Sequence, residues 1–242
     1  MQEKSVSKAI DFRRSVRIYD SNKQIDIEKV KKCIDQATLS PSSSNMQLWE
    51  FHHVISKINK QKIAKSCFNQ PAAQTAEQLV IIVVRKDLWR KRLKSNIDNI
   101  KLSLSKIENL DPIKKKKALH YYEKIVPMIY SDFMGIKGLL KKIYAKTIGL
   151  YKPIYQEVGK GDVRIIAHKS AALAAQTFMI SMAGIGYDTC PMEGFDSKRI
   201  KKNLNLPSDS EISMIIGCGI RKKNGVYGKR FRVPTEETYH IH

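Results

Sequence analysis

The sequence predicts a domain of the α/β or α+β class, built around one β-sheet. Two continuous, mostly β-branched runs, Leu79 to Val84 and Ile212 to Ile216, are typical of strands that are buried on both faces. Helical patterns precede each run, so helices and central strands alternate along the chain. With 242 residues, of which 42% are hydrophobic, the chain is long enough to bury a sizeable core. We therefore expect a single domain over residues 1–242.

The segment before the first buried run is predicted to hold three helices and a strand. Residues 5–12 place apolar side chains on one helical face, and a second amphipathic helix runs from its cap Asp26 to Ser40-Pro41. Trp49 to Ile55 is predicted to be a strand. A short Lys-rich helix follows from Ser56 to Cys67, with Ser56 as its N-cap.

Residues 85–152 differ from the rest of the chain in composition. They hold 18 Lys or Arg and 6 Asp or Glu, so their net charge of +12 is more than half of the +21 of the whole chain. Asp111-Pro112 is a good helix start, and Pro127 is expected to end or kink the helix that contains it. We expect a basic helical excursion from the core, because the uncharged segment after it is needed to fill that core.

Ser170 to Tyr187 runs 18 residues without a charge, near the lower limit for a membrane-spanning helix. Gln176, Thr177, Ser181 and two glycines favour instead a buried helix that is apolar all round. The N-terminus has no apolar stretch of the kind that a signal peptide needs. The four cysteines lie far apart without a CxxC pair. We expect a reduced, cytoplasmic protein with no transmembrane segment.

Common catalytic motifs are missing from the sequence. Three GxG pairs, beginning at Gly159, Gly184 and Gly217, lack the third glycine of a dinucleotide-binding motif, and there is no Walker A pattern. No HExxH or GxSxG pattern occurs, and the cysteines match no nucleophile signature. The sequence therefore predicts neither a metal site nor a catalytic side chain.

Three polar clusters remain, and together they suit an anion and a flat polar ring. Arg13 to Arg17 packs three guanidinium groups and a hydroxyl into five residues, and guanidinium groups match phosphate oxygens bidentately. Pro41 to Gln47 is a loop dense in short donors and acceptors. Arg230 to Pro234 adds two more guanidinium groups. Taken singly, the clusters are equally compatible with a solvated turn, a plain loop and a charged edge strand.

In this order, the clusters resemble the motifs of the FMN-dependent nitroreductase family. Arg13 to Arg17 matches R-R-S-x-R, Pro41 to Phe51 matches P-S-S-x-N-x-Q-P-W-x-F, and Arg230 to Pro234 matches a basic pair before proline. Ala171 to Asp196 is similar to the family's central helix and its P-x-E-G-F-D turn. The resemblance is weakest in the basic excursion, and Leu48 stands where the family commonly has proline.

The resemblance implies residues that hold the cofactor. The FMN phosphate and ribityl chain would be bound by Arg13, Arg14, Ser15 and Arg17, with Arg230 and Arg232 completing the phosphate site. Gln70 would contact the ribityl chain or the ring edge. The isoalloxazine would lie against Pro191, Met192, Glu193 and Gly194, with the Glu193 backbone N–H near N5.

The resemblance also implies residues from a second subunit and a pocket for the acceptor. The partner's flavin would be reached by Ser42, Ser43 and Asn45. The substrate pocket would be lined by Ser44, Tyr130 and Phe133.

The fold and activity implied by the family complete the expectation. The fold would be α+β, with three layers and a central mixed β-sheet flanked by helices, in an intertwined homodimer whose C-terminal segments embrace the other subunit. Hydride would pass from NADH or NADPH through flavin N5 to a nitroaromatic, a quinone or a similar small acceptor, by a ping-pong mechanism.

Two alternatives stay open at this point. Relatives of nitroreductases carry out other flavin chemistry, such as reductive dehalogenation or desaturation, and the FMN-site motifs do not separate these activities. The basic excursion could instead bind nucleic acid or an anionic membrane surface, with Lys114 to Lys117 as the best candidate patch. Its lysines are not interleaved with aromatic residues as in a single-strand groove, which disfavours nucleic acid.

Overall fold

The computed structural model describes residues 3–107, 111–131 and 136–242. Its centre is a four-stranded sheet in the order β1 (Trp49–Val54), β2 (Gln78–Val84), β4 (Glu211–Gly219), β3 (Asp188–Met192). All four strands pair antiparallel. The parallel component of the expected mixed sheet is, among the described residues, the isolated bridge between Ser15 and Thr189.

Helices cover both faces of this sheet, which gives the three layers that the family resemblance implies. One face packs against α2 (Ile27–Thr38) and the long α9 (Lys160–Gly184), and α1 (Val6–Phe12) packs against α9. The other packs against α3 (Lys57–Ser66), α4 (Pro71–Gln74) and α10 (Ser197–Asn203). Every residue of β2 is buried, as its continuous apolar pattern predicts.

The helix starts show where local sequence signals decide structure. The Asp26 carboxylate accepts a hydrogen bond from the backbone N–H of Glu28 at 2.8 Å, and Asp111 accepts one from Ile113 at 2.8 Å. Ser56 is the N-cap residue of α3, as expected, although its side chain makes no capping hydrogen bond. The first residues of α3 are exposed, and water can therefore satisfy their N–H groups.

The uncharged segment of the sequence forms most of α9, but it is not buried all round. Ala171, Ala174, Phe178 and Met182 are completely buried against the sheet side, whereas Leu173 is 51% exposed. The helix therefore has one buried face and one open face, unlike the prediction. None of the described helices combines the length and the apolar character that a bilayer span requires.

The described part of the basic excursion is mainly helical. It contains α5 (Trp89–Ser105), α6 (Pro112–His120), a π-helical turn (Tyr121–Ile125), α7 (Val126–Tyr130) and α8 (Ile136–Gly149). Pro127 lacks an N–H for an i→i−4 bond, and the wider π turn directly precedes it. The helix is thus deformed at this proline, as predicted, and continues beyond it.

Candidate functional site

A positively charged cleft forms where two distant parts of the chain meet. Residues 13–17 follow α1, and residues 226–232 follow β4. The Arg17 backbone N–H donates to the Gly225 carbonyl at 2.6 Å, and Val16 donates to Thr189 on β3 at 3.2 Å. The cleft has a volume of about 270 Å³. It is lined by Arg13, Arg14, Ser15, Arg17, Val226, Tyr227, Lys229, Arg230, Phe231 and Arg232. We call it the arginine cleft.

Backbone carbonyls hold several of these guanidinium groups in place. Arg14 Nη2 donates to the Gly228 carbonyl at 2.9 Å. Arg230 Nη2 donates to the carbonyls of Asp11 at 2.8 Å and Arg13 at 2.7 Å. These bonds fix the two segments against each other, and they leave each guanidinium with further N–H donors.

The arginine cleft carries its charge without carboxylate partners. Among the described residues, no Asp or Glu forms an ion pair with any of its five arginines. Burial lowers the pKa of Arg13, and the positive charges of Arg230 and Arg232 lower it further. A cluster of like charges that repel one another is stabilised by an anion, so the cleft is suited to a phosphate or a similar group.

Strand β3 leads from the arginine cleft to a second group of predicted residues. Cys190 lies close to Arg13 and Arg17, although burial keeps the pKa of its thiol raised. Four residues further on, the carbonyl of Gly194 accepts a hydrogen bond from Gln70 Nε2 at 2.7 Å. The segment from residue 189 to residue 194 spans roughly 16 Å if extended, at about 3.3 Å per residue.

The loop before β1 has an unusual backbone. Ser44, Asn45 and Gln47 have φ angles of 52°, 49° and 47°, in the left-handed region. Serine and glutamine carry a steric cost there, while asparagine is better tolerated. Within the loop, the Gln47 backbone N–H donates to Ser42 Oγ at 3.1 Å. The conformation is therefore held by specific hydrogen bonds.

Contacts outside the loop fix it to the excursion and to α9. Asn45 Nδ2 donates to Asn96 Oδ1 at 2.9 Å, and Asn96 Nδ2 donates back to the Asn45 carbonyl at 2.9 Å. The Ser43 backbone N–H donates to Ser170 Oγ at 3.3 Å. Asn96 is buried on α5, and no motif in the sequence marks it as a partner of this loop.

The predicted pocket residues lie beside the same loop. Ser44 Oγ and the Tyr121 hydroxyl are 2.7 Å apart. Tyr130 is buried and stacks on Trp89 with 6.3 Å between ring centroids. Burial raises the pKa of Tyr130 to about 12, and a hydrogen bond with Ser43 opposes that rise. Phe133 lies outside the described residues. Tyr121 was missed in the sequence, where no spacing links it to Ser44.

The predicted residues thus fall into two groups at opposite edges of the sheet. The group near edge strand β3 consists of Arg13, Arg14, Ser15, Arg17, Gln70, Pro191, Met192, Glu193, Gly194, Arg230 and Arg232. The group before edge strand β1 consists of Ser42, Ser43, Ser44, Asn45 and Tyr130. Strands β2 and β4 lie between the two edges, so one chain does not bring the groups together.

The described part of the chain has neither a cluster of metal-ligand side chains nor an activated thiol. It contains no group of three His, Cys, Asp or Glu side chains placed to hold a metal ion. The cysteines are Cys33, Cys67, Cys190 and Cys218, and all four are buried and unpaired. Burial raises the pKa of each thiol, which makes them poor nucleophiles near neutral pH.

Comparison with known proteins identifies the family. The chain matches the profile of the Nitroreductase family over residues 10–220. The chain belongs to the nitroreductase family. The matched range runs through β1, β2, the excursion, β3 and β4.

Individual members of the family are similar over nearly their whole length. MhqN of Bacillus subtilis, whose name places it among the NAD(P)H nitroreductases, is 24% identical over 228 residues, covering 94% of each chain. A structure from Staphylococcus epidermidis, titled as an NAD(P)H:FMN oxidoreductase, has a TM-score of 0.73 and 23% identity, covering 100% of this chain and 98% of its own. A nitroreductase structure from Exiguobacterium sibiricum in complex with FMN has a TM-score of 0.69 and 20% identity, covering 100% and 99%.

Proposed function

We propose that this nitroreductase takes hydride from NADH or NADPH through a bound FMN and reduces nitroaromatic, quinone or similar acceptors by a ping-pong mechanism. Its class, an FMN-dependent oxidoreductase that uses NAD(P)H, follows from the family and from its named relatives. The acceptor and the order of steps are part of the proposal. Reductive dehalogenation and desaturation on the same fold remain the alternatives to be tested.

The observation that carries the proposal is the arginine cleft. Five guanidinium groups converge on a small volume and find no carboxylate there among the described residues. The FMN phosphate supplies the missing negative charge, and each charge-assisted hydrogen bond that it accepts contributes roughly 1.5–3 kcal/mol. The exposed Ser15 hydroxyl adds a neutral donor at the same place. The donor set therefore fits the phosphate end of FMN.

The rest of the cofactor has a path along β3. From the cleft, the strand leads to the segment of Glu193 and Gly194, which is exposed and held by Gln70. We assign the ribityl chain to the space along β3 and the ring to this segment, with the Glu193 N–H directed at the ring. FMN supplies the redox chemistry by accepting a hydride at N5 and passing the electrons on. The protein's own residues bind and orient it.

Dimerisation would complete the site. Ser42, Ser43 and Asn45 lie at the opposite edge of the sheet from the arginine cleft, which supports a role for them at the flavin of a second subunit. Residues 229–242 are exposed throughout and include apolar side chains such as Phe231 and Ile241, which suits a segment that embraces a partner. The four unpaired thiols support a cytoplasmic location, in keeping with a reduced compartment.

Two measurements test the proposal. The purified protein should show flavin absorbance bands, and anaerobic addition of NADH or NADPH should bleach them before a nitroaromatic or quinone restores them. Light scattering should give twice the 27.7 kDa mass of one chain, and dilution to monomers should release FMN. A stable monomer that retains FMN at full affinity would refute the shared site, and a protein without flavin bands would refute the activity.

A further inference from the structure

Helix α8 in the excursion presents an apolar stripe to solvent. Leu140, Ile143 and Tyr144 follow the three- and four-residue spacing of one helix face, and their side chains are 60%, 55% and 64% exposed. Leu150 and Tyr151, in the turn just after the helix, are also exposed. A run of large apolar side chains on one open face is not a random scatter of surface residues, and it marks an interaction surface.

The opposite side of α8 is packed, which holds the stripe outward. Ala145 is buried, and its carbonyl accepts a hydrogen bond from Gln156 Nε2 at 3.4 Å. Lys142 Nζ lies 3.1 Å from Asp162 at the start of α9 and ties α8 to the core. The inner face of α8 is therefore packed against the described chain, and the stripe remains more than half exposed.

Positive charge borders the stripe. Lys146 lies within α8 and Lys152 follows it, and both are exposed. The whole excursion has a net charge of +12. An exposed helix with an apolar face beside lysines is the arrangement that binds in the headgroup region of an anionic bilayer, with its tyrosine at the interface.

An apolar cavity opens beside the stripe. It has a volume of about 130 Å³ and is lined almost entirely by apolar atoms. Its walls include Tyr144 of the stripe, Met128 of α7 and Tyr155, all of which are also exposed at the surface. The apolar surface is therefore continuous from α8 to a recess that can accept part of a hydrocarbon chain.

We propose that the α8 stripe docks the protein on the surface of an anionic phospholipid bilayer. A second copy that met this face with its own excursion is a poorer occupant, because two excursions of charge +12 repel each other. Nucleic acid is a poorer occupant as well, because phosphate does not cover an aliphatic stripe of Leu140 and Ile143. Binding is peripheral, since α8 has only 14 residues.

Vesicle sedimentation of the full-length protein tests the proposal without any variant. The protein should bind mixed phosphatidylserine–phosphatidylcholine vesicles at least about tenfold more tightly than phosphatidylcholine vesicles, and added salt should reduce that difference. Equal binding to both vesicles, or binding to neither, would overturn the proposal.

Two pairs of variants then locate the surface. Leu140→Ser/Ile143→Ser should weaken vesicle binding about tenfold or more, whereas Leu39→Ser/Ile58→Ser, which removes two exposed apolar side chains elsewhere, should not. Lys146→Gln/Lys152→Gln should weaken it about tenfold, with Lys198→Gln/Lys202→Gln as the charge-matched control. FMN content reports that each variant is folded.

Two results would overturn the assignment to lipid. If the Leu140→Ser/Ile143→Ser variant binds vesicles like the unaltered protein, the stripe is not the docking surface. If that variant instead halves the mass found by light scattering, or if only double-stranded DNA binds and does so through Lys146 and Lys152, another occupant covers the stripe.

Discussion

The chain carries positive charge in two regions that arrange it differently. In the arginine cleft, guanidinium groups from residues 13–17 and 226–232 converge on one small volume, and the described chain offers them no carboxylate. In the excursion, lysines are spread over open helix faces, and several have acidic partners, as Lys94 has in Asp98 and Lys101 in Glu123. The excursion holds more charge, but the cleft holds it in the geometry that binds one anion.

This difference teaches that the placement of charge is more informative than its amount. Solvent and salt screen most of the electrostatic interaction between exposed lysines. Their summed charge therefore describes the general character of a surface and no particular binding site. Arginines that converge and repel one another create a strong positive potential at one defined point, where an anion is stabilised.

Removing one guanidinium from the cleft should have the largest effect. Arg17→Ala should weaken FMN binding about tenfold to a hundredfold, because a charge-assisted hydrogen bond contributes roughly 1.5–3 kcal/mol. Riboflavin, which lacks the phosphate, should bind both proteins equally weakly. Fluorescence titration of the flavin-free protein measures this, and Lys94→Ala is the matched control in the excursion. Equal affinity of the unaltered protein for FMN and riboflavin would contradict the assignment.

A second effect concerns Glu211, which joins the excursion to the core. Burial raises the pKa of its carboxyl, but hydrogen bonds from Lys86, His168 and Arg164 outweigh burial and hold the pKa at about 2. Because the folded pKa lies below the unfolded value, this carboxylate stabilises the protein above pH about 4.5, and the contribution is lost as the pH falls through about 2.

Glu211→Gln should therefore lower the free energy of unfolding by about 1–2 kcal/mol at neutral pH and by less in acid. Urea unfolding at pH 7 and pH 3 gives the comparison. Asp98→Asn, which changes an exposed carboxylate in the excursion, is the control and should change stability by less than about 0.5 kcal/mol. The same loss for Glu211→Gln at both pH values would show that the carboxylate charge is not responsible.

The third effect falls on acceptor choice. Tyr130 is the buried aromatic residue that stacks on Trp89 beside the loop before β1. If it lines the acceptor pocket, Tyr130→Leu should change the ratio of kcat/KM for a neutral quinone and an anionic nitroaromatic by about fivefold, the size of a roughly 1 kcal/mol contact. NAD(P)H oxidation in the first half-reaction should stay the same. An unchanged ratio would place the pocket elsewhere.

The smallest effect is expected from the excursion's densest charge run. Changing Lys114 to Lys117 to glutamine should leave FMN affinity within about twofold, because solvent screens the exposed side chains of Lys114, Lys116 and Lys117 from the cleft. The rate advantage of an anionic acceptor at low salt should fall by about twofold to threefold through slower association. Stopped-flow measurement across salt concentrations tests this. A loss of FMN in this variant would show that the amount of charge, not its placement, holds the cofactor.

Local signals predicted the elements that depend on local physics. The β-branched run of β2, the caps Asp26 and Asp111, and the deformation at Pro127 all follow from neighbouring residues. Strand β3 was not predicted as a strand, because it has five residues and contains Pro191. Its place at the edge of the sheet is what makes a proline acceptable there.

The candidate site likewise has parts that local sequence reveals and contacts between distant residues that it does not. The Arg13 to Arg17 cluster is visible in five consecutive residues, and a resemblance supplied its partners Arg230 and Arg232. That the two segments line one cleft depends on β-sheet pairing over some 200 positions, which no spacing rule gives. The contact of Ser44 with Tyr121 is likewise non-local, and so is the one between Asn45 and Asn96.

The arginine cleft is also assembled from segments that the ribosome makes far apart in time. Residues 13–17 emerge early in synthesis, while residues 226–232 emerge only after β4 has been made. Until residues 226–232 are made, Arg13, Arg14 and Arg17 lack the other side of the cleft. If the cleft holds the FMN phosphate as we propose, cofactor capture waits for residues 226–232, and nascent chains at every earlier stage are apoprotein.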